Sequence, residues 1–117
     1  MSQKKILLIA RSAPYGSANG RELLDIALAG GAFEQDISLL FMADGVFQLQ
    51  TQQQSQLVGQ KDLSKTLKML PIYDIDKLYY QASALGLRQL DQPDTAKPLS
   101  NTQIQQLISQ QDVVISL

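Results

Sequence analysis

Ile6-Leu7-Leu8-Ile9-Ala10 is apolar at every position and is bounded by Lys5 and Arg11. A strand with one wet face alternates apolar and polar residues. An unbroken run needs cover on both faces, which is the situation of a strand in a parallel sheet. Ile37-Ser38-Leu39-Leu40-Phe41-Met42-Ala43 reads as a second buried strand, Leu78-Tyr79-Tyr80 as a shorter, more amphipathic one, and Val113-Val114-Ile115-Ser116-Leu117 as a last strand. These segments alternate with helical spacing. Asn19, with Glu22 three residues later, is a variant capping box for a helix carrying Leu23, Leu24, Ala27 and Leu28 and ending at Gly30-Gly31. Leu63, Leu67 and Leu70 have helical spacing before Pro71 stops them. Ala82 to Leu90 is a short helix, and Ser100 or Asn101 caps one that carries Ile104, Leu107 and Ile108.

The connections are polar or broken by turn residues. Asp44-Gly45 ends the second strand, Val46 to Leu49 starts a short helix, and the glutamine-rich stretch Gln50 to Gln56 is an exposed loop. Asp91 to Pro98, with two prolines, is a loop. Strand-helix alternation of this kind predicts a three-layer α/β/α sandwich with a parallel sheet of four or five strands, in one domain spanning residues 1–117.

Composition narrows the chemistry. The 117 residues include neither cysteine nor histidine. A thiolate nucleophile, an iron–sulfur cluster, a zinc site of the usual ligands and a Ser-His-Asp triad are therefore excluded within this sequence. Ten basic side chains face eleven acidic ones, a formal net charge of −1. The basic excess that phosphate neutralisation asks of a nucleic-acid binder is missing. The first apolar run is too short for a signal-peptide core, and none approaches the ~20 residues of a membrane span. A cytoplasmic protein is the expectation.

In open parallel sheets, ligands bind beyond the carboxyl ends of the strands. The first such loop, Pro14-Tyr15-Gly16-Ser17-Ala18-Asn19-Gly20-Arg21, has the backbone and the Arg21 charge to cradle an anion. It lacks the phosphate-loop lysine and the dinucleotide glycine spacing, so a tight strand-to-helix turn is the favoured reading. Asp44 is either a carboxylate base or a turn acid, with Gly45 supplying positive φ; the turn is favoured. Asp74 and Asp76 offer too few oxygens for a metal. Tyr73, Tyr79 and Tyr80 can stack on a base, but more often such tyrosines serve as core edges or subunit contacts.

Three stretches in order resemble the DsrE/DsrF-like family. They are Pro14 to Glu22 with Leu24-Asp25, Phe41-Met42-Ala43-Asp44-Gly45-Val46-Phe47-Gln48-Leu49, and Leu70-Pro71-Ile72-Tyr73-Asp74-Ile75. Within that family the resemblance is greatest to the TusC (DsrF) type of subunit, and it runs from Lys5 to Leu117. It implies a three-layer α/β/α fold and a cytoplasmic complex with TusB-like and TusD-like partners, assembled as a dimer of heterotrimers. That complex relays persulfide sulfur toward 2-thiouridine at the tRNA wobble position. The TusD-type subunit carries the sulfur-accepting cysteine, just after the third strand. The matching position here is Gln81, whose carboxamide cannot hold a persulfide. The expectation is a non-catalytic partner with no cofactor and no direct tRNA contact. Val46, Phe47, Leu49 and Tyr73 are the expected subunit contacts, with self-association when the chain is alone. The competing expectation is a small-molecule or nucleotide binder using the 14–21 loop and Asp44; a third is an independent enzyme using Asp44 and Arg21.

Overall fold

The computed structural model describes residues 3–11, 25–30, 35–49, 70–73, 75–93 and 96–116. Five strands, β1 (Lys5–Ala10), β2 (Asp36–Phe41), β3 (Lys77–Gln81), β4 (Lys97–Leu99) and β5 (Val113–Ser116), form one sheet in the order β4-β3-β2-β1-β5. Every pairing is parallel. The chain therefore steps outward from β1 to β4, then returns across the sheet to place β5 on the free side of β1. Right-handed crossovers in opposite directions put their helices on opposite faces.

The two faces are distinct in their packing. On one, Leu8, Ile37, Leu39, Phe41, Leu78 and Tyr80 meet Ala27 from the helix at residues 25–30 (α1) and Ala84 and Leu85 from α2 (Ala82–Leu87). On the other, Leu7, Ile9 and Leu40 meet Ile104 from α3 (Asn101–Ser109). Leu7 and Leu8 are adjacent and both fully buried, as are Leu39 and Leu40. Neighbouring strand residues point to opposite faces, so full burial of both requires cover above and below. This is the three-layer arrangement that the unbroken apolar runs imply.

Two differences from the expected elements have local causes. Lys97–Leu99 lies in what reads as a loop, yet it pairs with β3 through Tyr79↔Lys97, Tyr80↔Pro98 and Gln81↔Leu99. It has no apolar run to announce it, and a proline is compatible with a strand only at a sheet edge, where β4 sits. The helix beginning at Ala82 closes at Leu87 rather than Leu90, and Gln89 beyond it takes a φ of 53°. The Ser100 expectation holds in detail. Its hydroxyl accepts from Gln103 N–H at 3.2 Å, and the Gln103 side chain accepts from Ser100 N–H at 2.8 Å, a reciprocal capping box. The helices expected around Leu23-Leu24 and Leu63-Leu67 and the loop at Gln50 to Gln56 lie outside the described residues.

At the amino ends of the strands, Lys77 donates to both Asp36 oxygens, at 2.8 and 3.0 Å, joining β3 to β2. That hydrogen bond, more than the surrounding charge, raises the Lys77 pKa above its ordinary 10.5. A raised lysine stabilises the fold at every pH below its unfolded value and loses the contribution as pH climbs through the folded value. Because the Lys77 side chain is 48% exposed, the contribution is below about 1 kcal/mol. Lys77→Met should lower the melting temperature by a small, constant amount from about pH 6 to about pH 9, a difference that vanishes above the raised lysine pKa. Thermal melts across that range check it.

Candidate functional site

The carboxyl ends of β1, β2 and β3 meet the segments that leave them, and the contacts there are tight. The 3-10 helix Ala43–Leu49 follows β2. It turns back over β1, where Met42 N–H donates to the Ala10 carbonyl at 2.9 Å and Gly45 N–H to the Met42 carbonyl at 2.8 Å. A β-carbon at Gly45 would sit 2.0 Å from the Ala10 carbonyl oxygen. Backbone there has no room to yield, so glycine is required by space. The positive φ expected of Gly45 falls instead on Ala43, at 49°.

Gln81, the last residue of β3, holds that turn. Its carbonyl oxygen accepts from Ala43 N–H at 3.1 Å, and its amide nitrogen donates to Asn101 Oδ1 at 3.1 Å. One neutral side chain thus ties the left-handed residue after β2 to the first residue of α3, on the opposite face of the sheet. A carboxamide suits this position because it accepts at one end and donates at the other. A second tie runs between Arg88, just past α2, and Asp44. Nε and Nη2 of Arg88 donate to Asp44 Oδ1 at 3.0 and 2.9 Å, while Nη1 reaches the Ala84 carbonyl at 3.1 Å. Asp44 thus stands in the first turn of the 3-10 helix after β2 and is the partner of an arginine 44 residues on.

The expected contact residues separate by depth. Val46 and Leu49 are buried in the chain's own larger cluster, beneath the turn that carries them. Phe47 between them is half-buried. Tyr73 closes the 3-10 helix Leu70–Tyr73, next to Ile72, which is 75% exposed. Of the other tyrosines, Tyr80 belongs to the larger cluster and Tyr79 packs against the smaller one. The loop from Pro14 to Arg21 and the acid Asp74 lie outside the described residues. Among the described residues no three acidic, histidine or cysteine side chains come together in metal-binding range.

A shallow groove of about 170 Å³ lies between the sheet and α3, lined by Tyr79, Leu99, Gln103, Gln106, Leu107 and Gln110. Its side chains are neutral and carry no nucleophile. Sequence reasoning found Gln81 only as an aligned position and missed both of its bonds. The signal is weak in principle: nothing local marks a glutamine whose partners are 38 and 20 residues away.

The arrangement is a brace. It ties three chain segments together through one carboxamide and one ion pair. Gln81→Ala should leave the partly buried Ala43 N–H without its acceptor, at a cost of about 1–3 kcal/mol, and should speed amide exchange at Ala43. Gly45→Ala should cost more, about 3 kcal/mol or above, because backbone must move. Chemical denaturation with hydrogen exchange read by NMR separates the two.

The DsrE/DsrF-like family model matches residues 4–117. A Pseudomonas aeruginosa protein named TusC homolog is 40% identical over 120 aligned positions, covering 100% of both chains. The Escherichia coli protein TusC is 38% identical, covering 96% of this chain and 98% of its own. The intracellular sulfur oxidation protein DsrF of Allochromatium vinosum is 38% identical over 78% of this chain and 67% of its own. Among solved structures, the E. coli ychN protein superposes with a TM-score of 0.82 at 22% identity, over 98% of this chain and 100% of that one, a likeness of fold. The chain is a member of the DsrE/DsrF-like family.

Proposed function

We propose that this chain is a cysteine-free subunit of a cytoplasmic sulfur-relay complex, in which it positions a cysteine-bearing relative and carries no sulfur itself. The observation that supports this most is Gln81. At the position aligned with the family's sulfur-accepting cysteine stands a side chain with both ends of its amide engaged, in a sequence without a single thiol. The relatives named TusC and DsrF support the relay. In this reading the partners are TusB-like and TusD-like subunits in a dimer of heterotrimers, and the sulfur moves toward 2-thiolation of the tRNA wobble uridine. The balanced charge leaves tRNA to another protein of the relay.

In this reading half-buried Phe47 and exposed Ile72 lie on the side offered to the partners, Tyr73 is a further proposed contact, and Val46 and Leu49 support the turn from beneath. The competing reading is a small-molecule binder using the 14–21 loop and Asp44; Arg88 engages one oxygen of that carboxylate, and the loop lies outside the described residues.

Co-expression with a TusB-like and a TusD-like subunit should give one co-eluting species. Omitting this chain should abolish or strongly slow sulfur transfer to the TusD-like cysteine. Gln81→Ala, in material that still assembles, should change that transfer less than about twofold, because no bond to sulfur is made there. A chain that elutes alone, with transfer indifferent to its presence, would contradict the proposal.

A further inference from the structure

The two edges of the sheet are built differently. The outer strand β4 carries Lys97 and Pro98, a charge and a missing donor, and both discourage another strand from pairing there. At the other edge, β5 is Val-Val-Ile-Ser, with neither charge nor proline. The nearest acid, Asp112, is turned inward: its carboxylate accepts from Lys5 N–H at 2.8 Å. Among the described residues nothing pairs with the outer side of β5. Val113 and Val114 are 37% and 41% exposed.

The direction of the backbone groups follows from one bond. Asp112 N–H donates to the Lys5 carbonyl at 2.8 Å, so Asp112 faces β1. Backbone groups alternate along a strand, so Val114 and Ser116 also face β1, and the N–H and C=O of Val113 and Ile115 face outward. Side chains alternate as well. Ile115 packs against the larger cluster, which places Val113 on that face and Val114 on the other.

We infer that β5 pairs with β5 of a second copy of this chain, antiparallel about a two-fold axis through Val114, to make one continuous sheet. In that register Val113 lies opposite the second copy's Ile115, and Val114 lies opposite its counterpart. Both outward-facing residues of each strand then exchange hydrogen bonds; apolar side chains meet at the three central pairs, and Ser116 lies opposite the second copy's Asp112 at each end. Val114 against Val114 is a non-hydrogen-bonded pair, which brings the two Cα atoms to ~4.5 Å. The near-zero net charge offers little repulsion between copies. The strand is only 4 residues long, so the dimer is weak. The inference stands on β5 and does not depend on the sulfur-relay reading.

The absence of native cysteine makes the test direct. In the purified full-length chain, Val114→Cys places two thiols within disulfide range across the axis. Val113→Cys places them on diagonal positions, and Lys97→Cys places them on the other edge. Under mild oxidation at about 50 µM, Val114→Cys should form a reducible dimer at least about tenfold faster than either control, through its effective concentration in the paired state. Val114→Lys, checked for folding by circular dichroism, should shift the sedimentation-detected dimer of the cysteine-free chain to monomer. Equal cross-linking at all three positions overturns the inference. So does a chain monomeric at every concentration, the result expected if β5 instead receives a strand from a different protein.

Discussion

The chain leaving β2 lies directly on the carbonyl end of β1, and this close approach governs the functional end of the molecule. Only glycine at position 45 permits it, since any side chain would meet the Ala10 carbonyl. With the turn pressed down, Val46 and Leu49 drop into the large cluster, and Ala43 is forced to a φ of 49°. A left-handed alanine carries a conformational cost of order 1 kcal/mol. Gln81 offsets it by accepting the Ala43 N–H, and Arg88 fixes the next residue through Asp44. Among the described residues, these polar ties link the ends of β2 and β3 to the helices beside them.

Those ties bear on function. In an open parallel sheet, the strand ends are where chemistry is usually found. Among the described residues there, Gln81, Asp44 and Arg88 bond to other parts of the chain. Gln81 reaches across to α3, so the two helical layers are tied through a single amide at the rim. Half-buried Phe47 and highly exposed Ile72 lie on the segments of chain between β2 and β3.

The sequence was legible where burial is recorded locally. Leu7-Leu8 and Leu39-Leu40 announce two covered faces, and the Ser100…Gln103 spacing announces a helix start. β4 was not legible, because an edge strand of three residues with Lys97 and Pro98 has neither alternation nor an apolar run. Val46 and Leu49 were expected as subunit contacts, and both are buried in the chain's own larger cluster. The roles of Gln81 and Asp44 were hidden for a different reason: each is defined by a partner brought near by the sheet order, and local pattern carries no trace of it. The family resemblance pointed to Gln81 as a position, and the geometry supplies what the residue does there.

The central claim is that this chain positions sulfur chemistry without taking part in it. The most direct measurement is the intact mass of each subunit, taken under non-reducing conditions, after the assembled complex has been loaded by a persulfide donor. The account predicts an unchanged mass for this chain and reductant-sensitive added sulfur on a cysteine-bearing partner. Reductant-sensitive sulfur on this chain would contradict it, since nothing in its sequence or at Gln81 can hold such a bond.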